Sequence, residues 1–332
     1  MCRLWEFLVA SPDSRKQGLP INSSGKVVRV SAQEPSSYLS GLRAQHLHPT
    51  AENVTIGLVG RGIAGSLSPL MHEQEGARLG LAYKYHLIDF DQLGYSDSVL
   101  GDVVQAAHAS GFSGLNVTYP FKQAVLSFLD ELSPEASSIG AVNTVVFGSG
   151  LKKGFNTDVW GFAESFRRSL GDVRKDRVLQ IGAGGAGAAV AHALVALGAR
   201  NLDIVDKDLA RAESLLSRLG LDQVSGRALH ENPADLSGYS GVVNATPVGM
   251  TKFPGVPVEP DGIAPDQWVA DVVYFPRETA LVQKARSRGS AVLSGGGMAI
   301  FQAVRALELF TGRAADVKAM TKTFEEAVAS SG

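Results

Sequence analysis

The rhythm of hydrophobic and polar positions changes repeatedly along this chain after about residue 50. Val54-Thr55-Ile56-Gly57-Leu58-Val59 is rich in β-branched residues and stopped by glycine, which predicts a strand. Ser68-Pro69 opens a helix, since proline is well placed in a first helical turn. Tyr83 to Ile88 alternates in the manner of a half-buried strand. Leu100, Val103, Val104 and Ala107 fall on one stripe, so residues 99–107 are helical, with Gly111 as the stop. Gly114 to Thr118 predicts a short strand, Pro120 to Leu129 a helix, and Ala141 to Phe147 another strand.

A second series begins after Asn156-Thr157-Asp158. Trp160, Ala163, Phe166 and Leu170 form a helical stripe leading to Gly171. Arg177 to Ile181 is a strand that runs into glycines, and Leu202 to Val205 is followed by a helix through Leu219. Gly241 to Ala245 and Trp268 to Val273 read as buried strands, Met298 to Phe310 as a long helix, and Asp316 to Val328 as an amphipathic one. Strands alternating with helices predict parallel α/β units, with a boundary between two lobes near residue 158. Residues 1–50 differ: they are rich in Ser, Pro, Gln and Gly with little periodicity, which predicts a mobile extension or an overlong start, with one short helix around Ser37 to Arg43.

Composition narrows the class. At 332 residues the chain can bury two cores. With 45% hydrophobic and 19% charged residues it reads as an ordinary globular protein. A net charge of −2 gives no bulk field toward nucleic acid or an anionic membrane, which favours a small-molecule partner. Cys2 is the only cysteine, so an internal disulfide or thiolate metal site is out of reach, and a reducing, cytoplasmic setting is expected. The seven histidines show no metal-type spacing, and no metal is expected. Arg3 and Glu6 interrupt the first apolar run, so no secretory signal is read there, and no stretch approaches the roughly 20 apolar residues of a membrane span.

Gly182, Gly184 and Gly187 spell GxGxxG, and the context strengthens a motif that is weak alone: a strand ends at Ile181 and a helix begins beyond Gly184. Gly182 allows the tight turn, Gly184 lets a pyrophosphate approach the backbone, and Gly187 lets the helix pack on the strand. Free N–H groups at the helix start then face the phosphates. Asp206 stands 19 residues beyond Gly187, where a carboxylate accepts from the adenine ribose hydroxyls and repels the extra phosphate of NADP. Asp208 adds to that repulsion, whereas Lys207 and Arg211 could pair with the phosphate. Either aspartate also suits a turn or a helix cap. The balance favours NAD, with NADP possible.

In the first half, Asn116 and Thr118 are two apart on a strand and so face one side. Lys122 follows, in what the pattern makes the first turn of a helix, where a cation opposes the helix dipole. Such a lysine is a poor choice for stability and, in a dry cleft, suits a proton shuttle. A solvated surface lysine is the plain alternative. Asp158 fits the N-cap of a helix starting at Val159, Gln302 an exposed helix position, and Ser66 and Ser68 turn hydroxyls.

Taken together these residues resemble the shikimate/quinate dehydrogenase family, from about Val54 to the last helix. Ser66-Leu67-Ser68-Pro69 resembles its Ser-x-Ser-Pro element, and Asn116-Val117-Thr118-Tyr119-Pro120-Phe121-Lys122 its NVTxPxK signature. Ala141-Val142-Asn143-Thr144, Asn156-Thr157-Asp158 and Asn244-Ala245-Thr246-Pro247-Val248-Gly249-Met250 are similar to its AVNT, NTD and NATxxGM elements, with Tyr274 and Gln302 at the later substrate positions. Seven pieces in the right order are far more specific than any one.

The resemblance implies two α/β domains: a mixed-sheet substrate domain, residues 51–158 plus 298–332, and a Rossmann-type dinucleotide domain, residues 159–297, with the cleft between them. It implies hydride transfer between a ring carbon of shikimate or quinate and a nicotinamide, with Lys122 moving the hydroxyl proton and Asp158 orienting it. Ser66 and Ser68 would hold the carboxylate, and Asn116, Thr118, Asn143, Tyr274 and Gln302 would complete the substrate site. The cofactor would meet Gly182, Ala183, Gly184, Gly185, Ala186, Gly187, Asp206, Lys207 and Arg211, then Thr246, Val273 and Gly295. NADP members usually carry Asn-Arg-Thr where this chain has Asp206-Lys207-Asp208, so it looks like the NAD-preferring branch. The closest members of that branch often have Thr at the second serine, so Ser68 leans toward shikimate. A monomer or homodimer is expected. The rival readings are an aminoshikimate or other ring-acid dehydrogenase, and a dinucleotide-binding sensor without catalysis; Lys122 and Asp158 together argue against the sensor.

Overall fold

The computed structural model describes residues 34–44, 52–220 and 224–330. Helix α1 (Pro35–Ala44) matches the short helix predicted near residue 40. Its Leu39 is fully buried in the core that holds Val103, Val104 and Phe112. A mobile extension is therefore the wrong description for α1; residues 1–33 and 45–51 lie outside the described part.

The first half continues through β1 (Asn53–Gly60), α2 (Ser68–Arg78), β2 (Ala82–Asp89), α3 (Phe90–Leu93), α4 (Leu100–Ala109) and β3 (Gly114–Val117). Then come β4 (Glu131–Leu132), α5 (Pro134–Ile139), β5 (Thr144–Gly148) and β6 (Leu151–Phe155). The sheet order is β2-β1-β3-β5-β6-β4. β1 runs parallel to β2 and β3, while β5 is antiparallel to both β3 and β6, so the sheet is mixed. The hairpin between β5 and β6 turns at Ser149-Gly150, both with positive φ, the twist that two-residue hairpins favour.

The helix predicted from Pro120 to Leu129 does not form. Residues 119–122 make a turn, and Ala124–Phe128 is a short 3-10 segment. Carbonyls that an α-helix would use internally bond elsewhere: Tyr119 accepts from the Arg61 N–H at 3.1 Å and Lys122 from the Val142 N–H at 2.7 Å. Lys122 is thus held by tertiary bonds on a turn, and the helix-dipole argument for it does not apply.

The second half comprises α6 (Thr157–Ser169), β7 (Val178–Ile181), α7 (Gly185–Ala196), β8 (Leu202–Val205), α8 (Leu209–Leu219) and β9 (Ala228–Leu229). It continues with β10 (Gly241–Asn244), β11 (Trp268–Asp271), α9 (Ala280–Ser287) and β12 (Val292–Leu293), after which α10 (Gly296–Thr311) and α11 (Val317–Ser330) return to pack with α2 of the first half. Its sheet runs β12-β11-β10-β7-β8-β9, parallel throughout. Phe162, Phe166, Val190, Leu194 and Trp268 share one apolar cluster of this half, and Leu179, Val242, Val269 and Leu281 share another. β7 lies between β8 and β10, so the winding reverses there, and a crevice opens beyond the carboxyl ends of β7 and β10. This is the two-part α/β architecture with a Rossmann-type half that the sequence predicts. Among the described residues no helix is long and apolar enough to cross a membrane.

Candidate active site

Lys122 and Asp158 meet: Nζ donates to Oδ2 at 2.6 Å, with the lysine side chain 18% exposed and the aspartate 6%. Asp158 is not the N-cap. Asn156 caps α6, its Oδ1 accepting from the Asp158 N–H at 3.1 Å, so Asp158 sits in the first turn, where an anion is favoured. Asn156 Nδ2 also donates to the Ala141 carbonyl at 2.9 Å. The AVNT and NTD pieces therefore bind each other, which explains why both are needed to place Asp158.

A chain of neutral side chains backs the pair. Tyr85 OH donates to Asn116 Oδ1 at 2.8 Å, and Asn116 Nδ2 donates to the Asn143 carbonyl at 3.2 Å and to Thr144 Oγ1 at 3.0 Å. Thr144 donates to Asn143 Oδ1 at 3.0 Å; that oxygen accepts from the Thr157 N–H at 2.8 Å, and Asn143 Nδ2 donates to Thr157 Oγ1 at 2.9 Å. Asn143 is buried and largely committed to this network. Thr118 stands one residue beyond β3, its N–H donating to the Val59 carbonyl at 2.9 Å.

Ser66 and Ser68 are half-buried at the start of α2, with the Ser68 N–H donating to Ser66 Oγ at 3.3 Å. The approach to them is shaped by a residue the sequence reading overlooked. Buried Asp89 accepts from the N–H groups of Gly62 and Ile63, each at 3.0 Å. Tyr274 and Leu67 pack on one apolar cluster containing Met71, Ile300 and Phe324, which brings Tyr274 to the region of the serines. Gln302 lies on α10 beside α6: a Cβ on Gly161 would come within 2.9 Å of the Gln302 backbone nitrogen. Its Nε2 donates to the Ala299 carbonyl at 2.9 Å.

The glycine loop joins β7 to α7 as predicted. Gly182 has φ 105, a left-handed conformation that favours glycine. A Cβ on Gly187 would collide with the Gly182 carbonyl, so helix and loop touch backbone to backbone. Gly184 is the N-cap with no side-chain cap, leaving the first amides of α7 for a ligand, and nothing would crowd a Cβ there. The donor set fits a diphosphate. Gly185 abuts the other half, since its Cβ would lie 3.4 Å from the Lys122 Cβ and Cδ. Ala183 and Ala186 complete the loop, with the Ala183 N–H donating to Asp206 Oδ2 at 2.7 Å. Asp206 Oδ1 accepts from the Asp208 N–H at 2.9 Å. Lys207 is exposed, and Arg211 pairs with Asp208 at 3.1 Å.

The loops after β10 and β11 carry Thr246 and Val273, and a second overlooked residue ties them together. Asp271 Oδ1 accepts from Asn244 Nδ2 and from the Val273 N–H, both at 2.9 Å, and Oδ2 accepts from Thr279 Oγ1 at 2.6 Å. Asn244 Oδ1 in turn accepts from Thr246 Oγ1 at 2.7 Å. The strand predicted through Val273 stops at Asp271 because this side chain captures the Val273 N–H. Burial pushes the Asp271 carboxyl up to about 6 despite those donors. Gly295 closes the crevice, its N–H donating to the Val273 carbonyl at 3.3 Å. The signal available in the sequence was an acid ending a buried strand. A cavity of about 500 Å³ bounded by Asp172, Arg174, Tyr239 and Trp268 lies instead at the amino ends of β7, β10 and β11, away from this chemistry.

Comparison with known proteins agrees with this geometry. Residues 58–145 match the shikimate dehydrogenase substrate binding domain, residues 164–249 the shikimate/quinate 5-dehydrogenase family, and residues 295–323 the shikimate 5'-dehydrogenase C-terminal domain. The NADP(+) shikimate dehydrogenase of Streptomyces avermitilis is 50% identical over 281 residues, 83% of this chain and 97% of that protein. The NAD(+) quinate/shikimate dehydrogenase of Corynebacterium efficiens is 44% identical over 82% of this chain and 98% of its own length. Among solved structures, quinate dehydrogenase from Corynebacterium glutamicum in complex with NAD superposes with a TM-score of 0.76 at 42% identity, covering 82% of this chain and 99% of that one. The chain is an oxidoreductase that belongs to the shikimate/quinate dehydrogenase family.

Proposed function

We propose that this protein reversibly oxidises shikimate to 3-dehydroshikimate, with quinate as a second substrate, and that NAD is its preferred cofactor. The observation that carries the reading is the 2.6 Å contact of Lys122 with Asp158, set against Gly185 of the dinucleotide loop. A proton-moving pair next to a diphosphate cradle is what oxidation of a ring hydroxyl requires. Residues 51–158 and 298–332 would form the substrate half, and residues 159–297 the dinucleotide half.

When bound, the nicotinamide supplies the acceptor or donor of the hydride. As the ring C–H electron pair leaves, the hydroxyl proton passes to Lys122 Nζ in its neutral amine form, leaving a ring carbonyl and a Lys122 ammonium. Asp158 orients the ammonium and hydrogen-bonds the same hydroxyl. Ser66 and Ser68 hold the carboxylate with Tyr274 beside them, and Asn116, Thr118, Asn143 and Gln302 read the ring hydroxyls. A hydroxyl missing from the ligand leaves such groups unpaired, which is a strong source of discrimination. Gly182 to Gly187 take the diphosphate, with Thr246, Val273 and Gly295 along the crevice.

Relatives are named for either cofactor, so the preference rests on this chain's own residues. Asp206 is held by two backbone N–H groups at the ribose position, and Arg211 is occupied by Asp208. Steady-state kinetics with shikimate and quinate against NAD and NADP test the reading. Turnover of shikimate, more efficient with NAD, is expected; inactivity with all four pairs overturns it.

A further inference from the structure

Tyr85 stands on β2 opposite Ile56 of β1, and only 6% of it is exposed. The direction of its bond to Asn116 follows from the protons available. Asn116 uses its two Nδ2 protons on the Asn143 carbonyl and Thr144 Oγ1, and Thr144 gives its own proton to Asn143 Oδ1. Asn116 can offer Tyr85 only its oxygen, so the phenol donates. The ring is held from behind by His72, edge-on at 5.0 Å, whose Nδ1 lies 2.8 Å from the Tyr83 hydroxyl.

We infer that Tyr85 is a positioning residue of the ring-acid pocket, holding Asn116 on β3 through its 2.8 Å bond so that the amide presents a fixed atom to the substrate. The inference rests on the proposed role of Asn116. Asn116 is left with a spare acceptor lone pair, suited to a ring hydroxyl that donates. Without the phenol, Asn116 Oδ1 loses its buried donor and its amide is free to turn over.

Tyr85→Phe keeps the ring and removes the hydroxyl. The KM for shikimate should rise about tenfold, the size expected when a buried acceptor loses its donor. Turnover and the dissociation constant for NAD should stay near wild type. Tyr83→Phe is the comparison, because that phenol bonds His72 rather than Asn116. It should leave the shikimate KM in place. An unchanged KM in Tyr85→Phe, or an equal rise in Tyr83→Phe, overturns the inference. Loss of folding or of NAD binding in Tyr85→Phe also overturns it, since the hydroxyl would then serve the core. A wild type inactive on both ring acids is a different outcome: it sinks the functional reading itself, and the inference with it.

Discussion

In the substrate half side chains hold side chains, as in the run from Tyr85 through Asn116, Thr144 and Asn143 to Thr157. In the dinucleotide half the backbone forms the cradle: Gly182 turns it, Gly187 lets it close, and uncapped amides of α7 face outward. The contrast follows from the ligands each half is proposed to take. A ring acid differs from its analogues by single hydroxyls, so it must be read by discrete donors and acceptors with fixed direction. A diphosphate is recognised by charge and shape, which repeated N–H groups supply without side chains. One half should therefore be sensitive to the loss of a single polar atom, and the other to the gain of a single carbon.

The largest effect is expected where the two halves meet. Lys122→Ala removes the group proposed to move the proton, and turnover should fall roughly 10²–10⁴-fold, the usual contribution of a positioned acid or base. Shikimate affinity should change far less. Near-normal turnover in the purified variant would remove Lys122 from the chemistry and leave the ion pair with Asp158 as a structural contact.

How much of this was legible in the sequence differs between the halves for the same physical reason. The glycine cradle could be read from spacing, because backbone geometry demands glycine at set intervals between a strand and a helix. The alternation of strands and helices was equally visible. The segment after Pro120 was misread as a helix, since local pattern cannot reveal that its carbonyls bond Arg61 and Val142. Asp158 reads as a cap, yet Asn156, two residues earlier, takes that role and leaves Asp158 to face Lys122. Tyr85, Asp89 and Asp271 were missed because their function lies in contacts with residues far along the chain. Period-2 alternation marks Tyr85 as facing inward but not what it touches.

Asp271 sets a side-chain network beside the backbone cradle of the dinucleotide half, and it offers the next largest effect. Its carboxyl is raised to about 6 by burial, from an ordinary 3.8. The folded state thus keeps a proton that the unfolded chain releases near pH 4. Stability from this group is fully present below pH 3.8, declines as pH rises to about 6, and is level above that. The difference amounts to roughly 3 kcal/mol. Asp271→Asn cannot titrate, yet its oxygen can still accept from Asn244 and Val273. Urea unfolding at pH 4 and pH 7 should show the variant gaining about that much relative to wild type at the higher pH. Parallel pH curves for the two proteins would show that Asp271 ionises normally in the fold.

The smallest effect concerns cofactor choice, where acidic and basic residues compete on one edge of the cradle. Under the proposed cofactor roles, Asp206 offers the ribose hydroxyls a charged acceptor and repels an added phosphate, while Lys207 offsets part of that repulsion. Arg211 offsets less, because it is paired with Asp208 at 3.1 Å. A hydrogen bond to a charged group contributes about 1.5–3 kcal/mol, or roughly tenfold and more in affinity. Asp206→Asn keeps one oxygen for the Asp208 N–H but turns a donor toward the Ala183 N–H, which now binds Oδ2. The loop therefore loses a bond whichever cofactor enters, and the two cofactors must be compared as a ratio. The wild type should have the higher kcat/KM with NAD, and the variant should lower the NAD-to-NADP ratio about tenfold, by losing NAD efficiency and gaining NADP efficiency. Kinetics with each cofactor at saturating shikimate measure both. A wild type that prefers NADP would mean that Lys207 and Arg211 outweigh the two acids, and that a pair of exposed cations governs an edge the buried backbone leaves open.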